Sequence, residues 1–219
     1  IAPDDVLDLV FTVLVSSLVG VRLFYVLTHL GTFQPWYRAF FIWDGGLTLY
    51  GGIVLATLAV IWQARRRQVA FLDIADVFSP GVALGIGITR IGCFMAGCCY
   101  GKPCTTGLGV HFPEGAPAWH QFGAVAVHPS QLYASAAGFA VFGLLLVLEK
   151  VRPVRGATFG RFLVLYGLAR FLEDFSRYYE PGQRMAFGWS NNQWISMAVA
   201  AVGVAVLAKV CGPGARKAA

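Results

Sequence analysis

Residues 166–177 read YGLARFLEDFSR, and they close an apolar stretch that begins near Phe162. At about 100° per residue, a helix projects Tyr166, Arg170, Asp174 and Arg177 into one sector of its surface. A charged residue near mid-bilayer costs roughly 2.5–3.5 kcal/mol on insertion scales, so several together imply a use. Two readings of that face are open. One is a structural ion pair between Arg170 and Asp174, four residues apart. The other is a cationic, hydrogen-bonding pocket for an anionic lipid headgroup, which also gives Tyr166 and Arg177 a part.

The chain as a whole supports a membrane setting for this stretch. Its 219 residues are 57% hydrophobic and 13% charged, with a mean hydropathy of +0.64. A soluble domain carries about 25% charged residues, so the composition belongs to a bilayer. A spanning helix needs about 20 mostly apolar residues. About six such segments fit: Val6–Leu27, Gly46–Trp62, Phe71–Gly97, Pro129–Leu148, Phe162–Tyr178 and Gln193–Ala208. The expected fold is all-α, a polytopic integral membrane helix bundle forming a single transmembrane domain over residues 1–219. An irregular region at about 98–127 is expected outside the membrane on the outer face. Pro80 and Gly81, Gly85, Gly87 and Gly92 suggest a third segment that is interrupted or closely packed.

Charge sets the orientation. Arg65–Arg67, the EKVRPVR stretch from Glu149 and the tail at Lys209, Arg216 and Lys217 fall on one side, which the positive-inside tendency makes cytoplasmic. The net charge of +6 is spread over helix ends with no aromatic-interleaved basic patch, so no nucleic-acid partner is expected. The opening IAPDDVLDLV has no initiator Met, basic n-region or cleavage site. The chain is expected to begin part-way through a longer protein.

Four polar stretches interrupt the apolar segments: GGLTLYGG with Tyr50, TRIGCFMAGCCYGKPC with Arg90, HPSQLY with His128 and Gln131, and the Arg170 face. The last three fall in the outer half of the membrane, where one phosphate-handling site would need them. Arginine presents a fork of donors that matches phosphate oxygens and stays charged in any surroundings. Arg90, in a Gly-rich break, would add free backbone N–H groups. His128 reads equally as a helix cap or a catalyst. Gln131 and Tyr133 suit helix–helix hydrogen bonds, and His111 and His120 have no ligand spacing around them. Four of the five cysteines fall within residues 93–104 but lack the paired C-x-x-C of a zinc signature. They are expected to be free thiols, neither metal ligands nor catalytic.

In this order, GGLTLYGG, TRIGCFMAGCCYGKP, HPSQLY and FLVLYGLARFLEDFSR resemble the motifs of the prolipoprotein diacylglyceryl transferase family. The resemblance extends over nearly the whole chain from Asp44 onward. It implies a bacterial inner-membrane, multi-pass enzyme of seven spanning helices, the first of them absent from this chain. Such an enzyme moves the diacylglyceryl group of phosphatidylglycerol to the lipobox cysteine thiol of a preprolipoprotein and releases glycerol phosphate. The implied partners are phosphatidylglycerol, the lipobox peptide and membrane lipids, with no cofactor and a monomeric state. By motif, Arg90, Tyr166, Arg170 and Tyr50 are the implied catalytic residues. Gly101, His128, Gln131, Asp174 and Arg177 are the implied substrate-binding residues.

Several positions depart from the family pattern. Tyr50 stands where the family has a histidine proposed as base, and Cys93, Ala96 and Cys98 replace two Asn and a Glu. Ala134 replaces a further Glu, and Asp174 stands where the family usually has Glu. A non-catalytic binder or transporter of anionic phospholipid is therefore a second reading, and a membrane thiol oxidoreductase or metal protein built on Cys93, Cys98, Cys99 and Cys104 a third. A thiol of pKa about 8.5 is only a few per cent thiolate at neutral pH. Tyrosine, with a reference pKa of about 10, is a poor base. Cationic surroundings that lower the pKa of the incoming thiol need no side-chain base. Transfer rates from about pH 6 to about pH 9 test this: Arg170→Ala should abolish transfer and Tyr50→Phe lower it modestly. A dead Tyr50→Phe beside a tolerated Arg170→Ala would reverse the assignment.

Overall fold

A computed structural model describes residues 3–29, 37, 41, 48–151, 154–179 and 188–212. Among the described residues there are seven helices and no strands, only isolated β-bridges. The helices are α1 (Pro3–Thr28), α2 (Leu49–Arg66), α3 (Phe71–Met95), α4 (Pro117–Phe122), α5 (Ser130–Val151), α6 (Ala157–Glu173) and α7 (Asn191–Cys211). Four described helices carry segments long and apolar enough to cross a bilayer: Asp5–Thr28, Phe71–Met95, Ser130–Val151 and Asn191–Cys211. α6 has 17 residues, about 26 Å at 1.5 Å per residue, against a hydrocarbon core about 30 Å thick. It also carries Arg161, Arg170 and Glu173.

The chain forms two compact units, residues 1–74 and 75–219. In the first, α1 and α2 run antiparallel. Arg67, just past α2, pairs with Asp5 and Asp8 at the start of α1, while Thr48 before α2 donates its N–H to Val21 O at 3.0 Å. Leu7, Phe11, Leu14 and Leu18 lie along one face of α1 and are all exposed. An apolar stripe of that kind suits contact with lipid.

In the second unit Ala83, Val141, Leu145 and Phe162 form a buried cluster joining α3, α5 and α6. Ser135 donates its hydroxyl to Gly87 O at 2.8 Å, a side-chain bond of the sort that holds membrane helices together. α6 and α7 meet at small residues. A Cβ on Gly203 would lie 2.8 Å from both Leu163 Cβ and Val164 N, so the two backbones approach as only glycine permits.

The expected interruption at Pro80 does not occur. α3 continues through it, and Ser79 donates its hydroxyl to Ala75 O at 2.6 Å in the turn where proline removes a donor. Arg90 accordingly sits on a continuous helix, without the free N–H groups a break would supply. The fifth segment also differs, because α6 stops at Glu173 instead of reaching Tyr178. The region 98–127 is irregular apart from the single-turn helix α4 and bridges such as Pro103 with Val127.

Asp76 fixes the start of α6. Its carboxylate accepts the N–H groups of Gly156 and Phe159, the latter at 2.7 Å. Those donors have no intrahelical acceptor, and negative charge is favoured at a helix N-terminus. Asp76→Ala should lower stability by about 1–3 kcal/mol by stranding these amides, read as a lower melting temperature in detergent. Asp76→Asn, which keeps an acceptor, should cost less.

Candidate active site

The Arg170 face takes its form from the end of α6. Arg170 Nη1 lies 3.3 Å from Glu173 Oε2 and 3.2 Å from Asp174 Oδ1. Its Nη2 donates to the Tyr179 hydroxyl at 3.5 Å. The ion pair between Arg170 and Asp174, one of the two readings open from sequence, is therefore present, and Arg170 is not an unpaired charge. The Asp174 side chain is only 1% exposed, and it also accepts hydrogen bonds from the Tyr179 and Ser190 hydroxyls. Ser190 caps α7: its Oγ accepts from Gln193 N at 3.1 Å, and Gln193 Oε1 accepts from Ser190 N at 2.9 Å. Asp174 thus ties the end of α6 to the beginning of α7.

Arg177 does not share the helical face. The chain turns after Glu173, and Arg177 pairs through its backbone with Gly101, its guanidinium lying 5.9 Å from the Tyr179 ring centroid. Lys102 reinforces this join, donating its N–H to Ser176 O and its Nζ to Phe175 O, each at 2.9 Å. Gly101 is needed for packing: a Cβ there would lie 2.6 Å from His128 O.

Arg90, Tyr166 and Arg170 come together. With Glu173 they line one small, open cleft, whose remaining wall includes Ala83, Ala134, Val141 and Phe162. Tyr166 stacks on Phe162, with ring centroids 5.6 Å apart. Arg90 has no ion-pair or hydrogen-bond partner among the described residues. The charged lining is Arg90, Arg170 and Glu173, and Asp174, 3.2 Å from Arg170, brings the sum of the four to zero. Arg90 lies beyond Ala83 on α3, and Arg170 and Glu173 beyond Phe162 on α6, so polar groups fall toward one end of the cleft and apolar side chains toward the other, as an amphiphilic ligand requires.

The other expected site residues lie elsewhere. His128 faces Tyr133, its Nδ1 3.4 Å from the phenol oxygen, and its backbone bonds to Gly101, Lys102 and Ser130. Gln131 is buried and donates Nε2 to Cys98 O at 2.6 Å, a helix-to-loop bond in place of the helix-to-helix bond expected. Tyr50 belongs to the first turn of α2, and its side chain lies outside the described residues. All five cysteines are free. Burial and the adjacent Cys99 and Cys93 push the Cys98 thiol up to about 11, so at neutral pH it is protonated and a poor nucleophile. Sequence reasoning overlooked Glu173 as a partner of Arg170, although it stands at the i+3 position. It also overlooked Ser190 and Gln193, whose S-x-x-Q spacing is a capping-box signal, and Tyr179, for which no local signal exists.

Four bilayer-length apolar helices and an arginine-lined cleft define a helical integral membrane protein. Residues 1–209 match the family model described as prolipoprotein diacylglyceryl transferase. A relative from Geobacter sulfurreducens is 33% identical over 185 residues, covering 83% of this chain and 68% of its own length. One from Xylella fastidiosa is 33% identical, covering 92% of this chain and 76% of itself. One from Teredinibacter turnerae is 35% identical, covering 91% and 69%. All three are named phosphatidylglycerol–prolipoprotein diacylglyceryl transferase. The chain belongs to the prolipoprotein diacylglyceryl transferase family.

Removing one partner of a buried ion pair typically costs about 3–5 kcal/mol. Asp174→Ala should therefore lower the melting temperature sharply, whereas Tyr179→Phe should cost about 1–3 kcal/mol. Thermal unfolding of the two variants in one detergent checks the order.

Proposed function

We propose that this protein transfers the diacylglyceryl group of phosphatidylglycerol to the lipobox cysteine of a preprolipoprotein, the reaction for which its relatives are named. The observation that carries the reading to particular residues is the common cleft of Arg90, Tyr166 and Arg170. The uncommitted guanidinium of Arg90 complements a monoanionic phosphodiester, and the apolar wall suits the first carbons of the acyl chains. The acceptor sulfur attacks the glyceryl carbon that bears the phosphate, forming a thioether. The carbon–oxygen bond breaks, its electron pair leaves with glycerol phosphate, and the thiol proton passes to solvent. Negative charge grows on the departing phosphate, where fixed guanidinium groups stabilise it most.

In this reading Arg90 binds the phosphate directly, because its charge is uncommitted among the described residues. Arg170 is held in place by Glu173 and Asp174 and presents its remaining donors, while Tyr166 adds a hydroxyl on the same wall. Asp174 and Arg177 act by positioning, through the α6 terminus and its join to Gly101. His128 and Gln131 fit a second role, shaping the loop that carries Cys98. Tyr50 is assigned to substrate positioning on its motif alone. The reading extends to one transmembrane domain of about six crossings in this chain, in the bacterial inner membrane, acting as a monomer without cofactor; the family and the charge pattern support it. α2 and α6, shorter than the other crossings, would be accommodated by local thinning or by charged ends reaching the interface.

A lipid-transfer assay with phosphatidylglycerol and a lipobox peptide tests the proposal. Transfer should fall by about 100-fold or more in Arg90→Ala, as expected on losing a transition-state charge contact, with Arg90→Lys partly active. Binding of phosphatidylglycerol without any transfer by the wild-type protein would favour the lipid-binding reading instead.

A further inference from the structure

α3 ends in a manner that gathers cysteines. Gly97 adopts φ +64°, Cys98 N–H bonds back to Cys93 O at 3.1 Å, and Gly97 N–H bonds to Phe94 O at 3.0 Å. This pair of bonds with a left-handed glycine is a Schellman motif, which brings together the side chains that here belong to Cys93 and Cys98. The usual occupants of those two positions are apolar; this chain has a thiol at each. Cys99 then takes φ +60°, an uncommon conformation for a residue with a Cβ. The sulfur atoms of Cys93, Cys98 and Cys99 all lie within 4.8 Å of one another.

We propose that Cys93, Cys98 and Cys99 form a soft-metal site that holds one thiophilic d¹⁰ cation, Zn²⁺ or Cu⁺, through three thiolate sulfurs at the end of α3. Thiolates select these ions over hard cations. Each thiol gives up its proton to solvent on binding. The site is held ready by contacts that involve no sulfur. Gln131 grips Cys98 O, Ala118 N–H bonds to Gly97 O at 3.2 Å, and Tyr178 N–H bonds to Tyr100 O at 3.4 Å. Gln131 Oε1 is buried without a hydrogen-bond partner among the described residues, an unsatisfied oxygen on the amide that clamps the cluster. Cys104 is engaged separately, its thiol 3.0 Å from Thr106 Oγ1, and Cys211 is exposed on α7.

The test uses the reduced, detergent-purified full chain, with Zn²⁺ and Cu⁺ titrated separately against a chromogenic chelator. One equivalent should bind, and Cys93→Ser, Cys98→Ser and Cys99→Ser should each weaken binding by about 100-fold or more, at least the cost of losing an outer-shell partner. Cys104→Ser and Cys211→Ser should bind as wild type. X-ray absorption should give metal–sulfur distances of about 2.3 Å for Zn²⁺. Three sulfurs alone would identify the Cu⁺ form, and an added oxygen or nitrogen ligand the Zn²⁺ form. A measurement on the wild-type chain needs no variant to fold: metal should protect Cys93, Cys98 and Cys99 from maleimide, leaving Cys211 reactive. Equal alkylation of all thiols with and without metal, or equal affinity in wild type and the three serine variants, would overturn the proposal.

Discussion

The ion pair between Arg170 and Asp174 is the constraint on which the rest of the site depends. The Arg170 guanidinium, on a side chain only 11% exposed, must find an acceptor, and a carboxylate with a 1% exposed side chain must find donors. Each solves the other's problem, and neither does so alone. Asp174 needs the Tyr179 and Ser190 hydroxyls as well, and Arg170 also faces Glu173. The consequence is mechanical. The end of α6, the turn after it and the first turn of α7 become one hydrogen-bonded assembly, and Arg170 is aimed before any ligand arrives. Pre-organised charge of this kind is the form in which electrostatic catalysis is most effective.

Arg90 complements this arrangement from α3. It brings positive charge to the cleft without a partner among the described residues, beside an apolar wall. A phosphodiester with one negative charge and two acyl chains matches both halves of that description. Division of labour between a committed and an uncommitted arginine also explains why two are present. One holds the site's shape, and the other meets the ligand.

Much of this was legible in the sequence, and the remainder has identifiable causes. Apolar segment lengths located the long helices, and the i,i+4 spacing of Arg170 and Asp174 anticipated their contact. Helix ends were less legible. Arg177 seemed to share a face with Arg170 only because the helical period was carried past Glu173, where the backbone turns to pair with Gly101. Pro80 suggests a break, but α3 continues through it. The gathering of Cys93, Cys98 and Cys99 was hidden for a different reason. Metal signatures are written as sequence spacings, whereas these sulfurs are brought together by a helix-ending turn that Gly97 makes possible. Tyr179 and Ser190 reach Asp174 from beyond the end of α6, and no local pattern encodes that.

The central claim is that the cleft selects a headgroup bearing a net negative charge. Competitive retention of phosphatidylglycerol against phosphatidylcholine, measured by native mass spectrometry on the purified wild-type chain and on Arg90→Gln, addresses it directly. Both lipids carry one phosphate and two acyl chains, and only the first is a net anion. The account predicts clear preference for phosphatidylglycerol in the wild type and loss of that preference in Arg90→Gln. Equal retention of the two lipids by the wild-type chain, or a preference untouched by the substitution, would contradict it.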